Sequence, residues 1–389
     1  MEERDVKYRL VSLLSLGHLI TDMTQGAIPA LLPFLIAEHH LSYAAAAGIV
    51  FALTVVSSLV QPLFGHFADR LSRPWFMPVG VLLAGLGIAV TGVAPNYRFI
   101  LLVVAVSGLG VAAYHPEGAR LVNYVAAEKK ATAMSIFGVG GQLGFAIGPL
   151  ITTAILLFWS LKGTLLLALP AILVGIFLAW RIPQFSVYTG VGAASKKSGL
   201  TQEIVRDEWG PFFRLSAVVF CRSIIFYGLN TFIPLYWINV LHQSKAAGGT
   251  ALTLLFTAGV VGTIIGGRLA DHFGHRSVIW NGLGGVMVLL PIFVYTNNVL
   301  VATILLVAIG IINHTTYSPI VLMGQRYLPN HVGLASGVTL GLAITIGGVT
   351  APLLGLIADH YGIRTSFWCL VPLPIVATGF ALTLPHPKR

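Results

Sequence analysis

The sequence predicts an all-α membrane protein of twelve transmembrane helices in two pseudo-symmetric six-helix bundles. Three observations carry this. Of 389 residues, 56% are hydrophobic and only 9% are charged, against about 25% charged in an ordinary soluble domain. The apolar residues fall into twelve runs, each long enough to supply the roughly 20 residues a helix needs to cross a bilayer. Short signatures recur along the chain at an offset of 202 or 203 residues.

The composition excludes a water-soluble enzyme, whose surface could not be covered by so few charges, and equally a disordered chain. The net charge of +10 would suit a nucleic-acid partner. The basic residues, however, sit in short clusters between apolar runs, so no nucleic acid is expected. Cys221 and Cys369, the 2 cysteines, each lie inside an apolar run and give neither a disulfide framework nor metal-ligand spacing. They read as packing residues.

The expected spans are 10–37, 44–67, 75–94, 97–123, 131–157, 163–182, 211–240, 248–269, 277–296, 299–325, 332–358 and 365–384. The first is too long for a signal-peptide core of about 7–15 residues and reads as a retained helix. Backbone polar groups find no water in lipid, so each span is a helix or part of a closed barrel. Barrel strands alternate over about 10 residues. These runs are longer and continuously apolar, which selects helices. The longest connection, 183–210, holds Ser195-Lys196-Lys197-Ser198-Gly199 and a short polar helix candidate, 201–208. It reads as a cytoplasmic linker between an N-terminal bundle, 1–182, and a C-terminal bundle, 211–389.

With the N-terminus inside, 18 of the 23 Lys and Arg residues fall on cytoplasmic ends and loops. The outer loops keep Arg98, Lys162, Lys245 and Arg364, and Arg222 falls within the seventh span. Positive charge collects on the cytoplasmic side of spanning segments, so both termini are expected there. An odd number of spans would spoil the split.

The internal repeat has three matches. Gly65-His66-Phe67-Ala68-Asp69-Arg70-Leu71-Ser72-Arg73 follows the second span. Gly267-Arg268-Leu269-Ala270-Asp271-His272-Phe273-Gly274-His275-Arg276 follows the eighth. Tyr114-His115-Pro116 pairs with Tyr317-Ser318-Pro319, and Gly148-Pro149-Leu150 with Ala351-Pro352-Leu353. Two repeats around a central pathway are a transporter plan, with binding near the bilayer midplane.

The Gly-x-x-Ala-Asp-Arg-x-x-Arg loop, its second copy and the glycine-rich fifth span resemble the signatures of the major facilitator superfamily, although Ser72 stands where a glycine is usual. Ser15-Leu16-Gly17-His18-Leu19 with Asp22-Met23, then His115-Pro116-Glu117, then Ile136-Phe137-Gly138-Val139-Gly140-Gly141 resemble more closely its bacterial fosmidomycin-resistance type. That resemblance implies the major facilitator fold and proton-driven export, by antiport, of a small anionic or amphiphilic compound. It also implies a place in the bacterial inner membrane and a part in antibiotic resistance.

The repeated loops have their own physical reading. Asp69 and Asp271 sit at helix ends, with Arg70, Arg73 and Arg276 in reach. Charged hydrogen bonds there would latch neighbouring helices during gating. The alternative is topology anchoring by positive charge. A third echo, Gly355 to Arg364, lies on the outer side.

Ionisable groups at membrane depth cost several kcal/mol and normally face a cavity or a partner. Asp22 and Glu117 are the acids well inside spans, Arg222 the base, and His18, His115 and His314 the mid-span histidines. His18 and Asp22 are four apart and share a helix face, with Gln25 a turn further on. A histidine beside a buried carboxylate can hold or pass a proton, or simply glue two helices. Pro116 frees a backbone carbonyl. Glu117 is the first expectation for a proton carrier and Asp22 the second, titrating as a coupled pair, with His18 and His115 as further proton-coupling residues. The alternative is a Glu117 that only pairs with Arg120, three residues on, with no role in transport.

Arg222 falls near the symmetry position of Asp22. Its planar fork suits a carboxylate or phosphonate, or it pairs with Asp22 or Glu117. Gln25, Tyr114, Tyr227, Asn230, His314 and Tyr317 are the other candidate substrate contacts. The glycines of the fifth span read first as close packing and second as a hinge.

No Gly-x-x-x-x-Gly-Lys-Ser/Thr loop is present, so ATP is not expected to drive this chain. No cofactor or metal is expected. A membrane-embedded enzyme using His115 and Glu117 would lack a nucleophile or metal set. The partners expected are a small-molecule substrate, protons and the lipid bilayer, with the chain acting as a monomer.

Overall fold

The computed structural model describes residues 7–71, 73–126, 129–188 and 206–385, with backbone alone for 65–71 and 131. Among them, twelve helical segments are long and apolar enough to cross a membrane. These are α1 (Tyr8–His39), α2 (Tyr43–Phe64), α3 (Phe76–Val93), α4 (Tyr97–Val125), α5 (Thr132–Trp159) and α6 (Leu161–Trp180). They continue with α7 (Trp209–Asn239), α8 (Lys245–Phe273), α9 (His275–Tyr295), α10 (Val299–Tyr327), α11 (Pro329–Tyr361) and α12 (Ile363–Leu382). Every expected span has its helix, with ends within four residues of those read from the sequence. Most of the expected linker, residues 189–205, lies outside the described residues.

Side-chain burial follows the demands of lipid. Phe158 is 80% exposed and Leu173 68%, which water would penalise and hydrocarbon does not. Trp75, Trp159, Trp180, Tyr295 and Tyr361 are exposed at helix ends, the position amphipathic rings take at a membrane interface. The chain is a multi-pass membrane protein.

Two compact units form, one from residues 1–40 and 52–200, the other from 41–51 and 201–389. In the first, Leu14, Val81, Tyr114, Leu121, Phe137 and Leu178 pack into one core. Here α5 lies closely along α1: a Cβ on Gly148 would come within 2.5 Å of the Met23 carbonyl. The glycines of α5 thus allow backbone to approach backbone. In the second unit the core gathers Phe212, Leu215, Leu283, Met323, Tyr327 and Ala377.

The first turn of α2 packs with the second unit, whereas the sequence reading puts it in the first bundle. The cause is local. Asp359, near the end of α11, accepts the backbone N–H groups of Tyr43 at 2.6 Å and Ala44 at 3.0 Å. A helix start has such N–H groups to spare. A Cβ on Gly355 would lie 2.6 Å from the Ala44 Cα, so glycine permits the approach.

The repeated Asp-His-aromatic-Gly-x-Arg sequences close α8 and α11 in the same way. Gly274 and Gly362 both stand at φ 85°, a region that favours glycine. Beyond the turn, Arg276 Nη2 donates to the Leu382 carbonyl at 2.5 Å, and Arg364 donates to Asn297.

Two spans are irregular. In α10 the α-helix breaks at Thr316 between Val299–Thr315 and Tyr317–Tyr327, just before Pro319, whose ring crowds the carbonyl four residues back. Pro116 in α4 is carried inside an unbroken helix. In α11 a π-helical stretch, Gly337–Leu342, precedes the long segment Ala343–Tyr361.

Candidate proton and substrate site

The first unit gathers ionisable groups from α1 and α4 against the backbone of α5. His18 and Asp22, one turn apart on α1, meet with His18 Nε2 3.1 Å from Asp22 Oδ2. His115 of α4 brings its Nε2 to 3.1 Å from the other oxygen, Oδ1. Gln25 Nε2 donates to Oδ1 at 2.7 Å. His18 and Asp22 are 9% and 5% exposed and the His115 side chain 20%, so bulk water does little to solvate the carboxylate.

The far side of each ring is fixed. His18 Nδ1 lies 2.8 Å from the Phe137 carbonyl, and His115 Nδ1 2.8 Å from the Val111 carbonyl of its own helix. The Phe137 ring stacks on His18 with centroids 4.1 Å apart. Gly141 closes the fourth side: a Cβ there would lie 2.5 Å from Asp22 Oδ2 and 2.6 Å from His18 Nε2. Only a hydrogen leaves room for the pair. The facing nitrogen and oxygen atoms of the three residues all lie within 4.8 Å of one another.

Glu117 sits apart from this cluster in its bonding. It is fully buried, and Arg120 holds both its oxygens, Nε to Oε2 at 2.9 Å and Nη2 to Oε1 at 2.6 Å. Tyr114 is also committed, its hydroxyl donating to the Leu14 carbonyl from a wholly buried ring.

In the second unit, Arg222 of α7 reaches the break in α10. Its Nε donates to the Asn313 carbonyl at 3.2 Å and to Thr316 Oγ1 at 2.9 Å. Its Cζ lies 5.4 Å from the centre of the Tyr317 ring. Asp22 and Glu117 each have partners within the first unit. Among the described residues no protein acceptor meets the two terminal nitrogens of Arg222.

His314 of α10 has its Nδ1 2.8 Å from the Gly310 carbonyl and its ring against Gly259 and Phe226. Tyr227 is buried with its ring against Gly347. Asn230 is buried with Oδ1 lacking a hydrogen-bond partner. Asp22, His18, His115 and Gln25 thus come together with the Tyr114 ring beside the two histidines, as do Arg222 and Tyr317, while Tyr227 and His314 both contact Phe226.

Of the expected gating residues, the side chains of Asp69 and Arg70 lie outside the described residues. Arg73 and Asp271 are exposed, and Arg276 donates to a backbone carbonyl in place of a carboxylate.

Asn313, Thr316 and the Phe137 carbonyl were not singled out from the sequence. The offset of the repeat pointed to α10 but could not show which carbonyl the helix break exposes to Arg222. Backbone carbonyls leave no mark in the residue pattern.

A profile of the Major Facilitator Superfamily matches residues 14–352. The uncharacterised MFS-type transporter YfnC of Bacillus subtilis (strain 168) is 30% identical, covering 98% of this chain and 94% of the relative. The fosmidomycin resistance protein of Escherichia coli (strain K12) is 28% identical, over 95% and 91%. Among solved structures, a bacterial homologue of the human lysosomal transporter Spinster superposes with a TM-score of 0.82 at 17% identity, covering 98% of this chain and 97% of that one. At that identity the last likeness speaks for the fold alone.

Proposed function

Because this chain belongs to the Major Facilitator Superfamily, a family of membrane transporters, we propose that it is a secondary active exporter working by alternating access, exchanging protons for a small anionic or drug-like compound. The observation that carries the reading is the buried His18–Asp22–His115 cluster. Three titratable groups in contact inside a spanning bundle cost several kcal/mol to bury without a use, and histidine beside a carboxylate is suited to taking and giving protons near neutral pH. The name of the Escherichia coli relative, a fosmidomycin resistance protein, supports efflux.

In this reading Asp22 is the principal carrier, since both oxygens of Glu117 are already held by Arg120. Glu117 serves by keeping α4 in place behind His115. The protein lies in a bacterial inner membrane as a monomer, with both termini cytoplasmic, and the loops bearing Asp69, Arg70, Arg73, Asp271 and Arg276 take part in closing the cytoplasmic side.

The test is flux in proteoliposomes under an imposed pH gradient, over a panel of phosphonates, carboxylates and amphiphilic drugs. Wild-type protein is expected to move at least one of them against its gradient, and Asp22→Asn to lose the pH-driven component. Wild-type rates for Asp22→Asn would remove the cluster from coupling.

One observation favours a second reading, an organic-anion importer or exchanger. Arg222 offers unmet donors beside Tyr317, and a guanidinium fork recognises carboxylate or phosphonate with two parallel bonds. Direction separates the two. Whole cells that accumulate a labelled anion support uptake, and cells that expel it support export.

A further inference from the structure

The hydrogen-bond partners of the two histidines determine how many protons the cluster holds. A backbone carbonyl can only accept, so each Nδ1 facing one must carry a hydrogen. That holds for His18 against Phe137 and for His115 against Val111. Each ring therefore presents its other nitrogen, Nε2, to Asp22, and each does so at 3.1 Å from a different carboxylate oxygen. An unprotonated Nε2 and a carboxylate oxygen would meet lone pair to lone pair. In a site where water is scarce that arrangement is repulsive and leaves buried acceptors unsatisfied. A proton in each contact turns both into charged hydrogen bonds.

We propose that His18, Asp22 and His115 form a two-proton store, filled in this conformation, whose two contact protons are the ones taken up and released together. Its use in transport rests on the proton-coupled reading above. With both rings doubly protonated beside the carboxylate, the filled cluster carries one positive charge. Emptied, it carries one negative charge, because two neutral imidazoles then flank a carboxylate. Export of a singly charged anion would then be matched to entry of up to two protons.

The surroundings fit this count. From α1 the groups facing the store are Gln25, which donates to Oδ1, and the members themselves. From α4 they are His115 and the buried Tyr114, whose hydroxyl is committed to Leu14. Glu117 is neutralised by Arg120. The α5 side offers backbone, Phe137 and Gly141. Among the described residues no lysine or arginine pairs with Asp22, so the positive charges next to its carboxylate are those of the protonated rings.

The experiment is nitrogen NMR of histidine-labelled protein in micelles near neutral pH, with elemental analysis of the same sample. Two rings are expected in the doubly protonated form. One of those signals should vanish in His18→Gln and the other in His115→Gln, and Asp22→Asn should convert both to neutral rings. The remaining histidine signals report that each variant is folded. Neutral rings at positions 18 and 115 in the wild type, or one charged ring alone, would overturn the proposal. So would a stoichiometric bound metal, since a divalent cation would replace both protons. Charged rings combined with flux indifferent to a pH gradient would retire the proton-coupled function and leave the store standing.

Discussion

Arg120 grips Glu117 through two nitrogens, at 2.9 and 2.6 Å, one turn away on the same helix. The pair is almost wholly buried, with side-chain exposures of 10% for the arginine and none for the glutamate. Such a pair is a weak source of stability as a unit, yet removing one partner strands a charge. Glu117→Gln is therefore expected to destabilise the protein by about 3–5 kcal/mol, seen as a large fall in melting temperature in detergent. A double change of Glu117 and Arg120 to leucine should recover most of that loss. If Glu117→Gln melts as the wild type does, the ion pair is not what holds this part of α4.

Gly141 makes a sharper test of the proton site than any change to the site itself. A Cβ there would enter the space between His18 and Asp22, whereas one on Gly138 meets nothing within 4 Å. Both lie on α5 and both changes to alanine raise helix propensity. Gly141→Ala should cost about 1–3 kcal/mol through overpacking and should also shift the pH dependence of transport. Gly138→Ala should do neither. Equal pH profiles for the two variants would show that the His18–Asp22 distance is not critical.

The Asp359 carboxylate caps α2 from α11, by bonds to Tyr43 and Ala44. Losing a side-chain cap costs about 0.5–2 kcal/mol. Asp359→Ala is expected to fall in that range and to speed hydrogen exchange at the Tyr43 and Ala44 amides. Unchanged exchange at both amides would mean the bonds are not kept in the membrane.

Helix count and span limits were legible because they follow from hydropathy and length, which each segment carries by itself. The buried charges were legible for the same reason: an acid or base within an apolar run stands out whatever surrounds it. His18 and Asp22 could be paired by their four-residue spacing. What His115 and Arg222 touch could not be read, because their partners come from other helices and are partly backbone atoms. Nothing in the residue pattern distinguishes the Phe137 or Asn313 carbonyl from its neighbours. The weighting of Glu117 over Asp22 likewise turned on rotamers, since spacing allows the Arg120 pairing without requiring it.

Hydropathy, charge asymmetry and the 202–203 residue echo thus determined on their own that the chain crosses a membrane twelve times and is built from a duplicated half. Tertiary packing alone decided that two histidines share one carboxylate, that an arginine lodges in the break of α10, and that the start of α2 belongs with α11. Partition into lipid is a sum over each segment's own side chains, while a hydrogen bond depends on two groups that the folded backbone must first bring within about 3 Å.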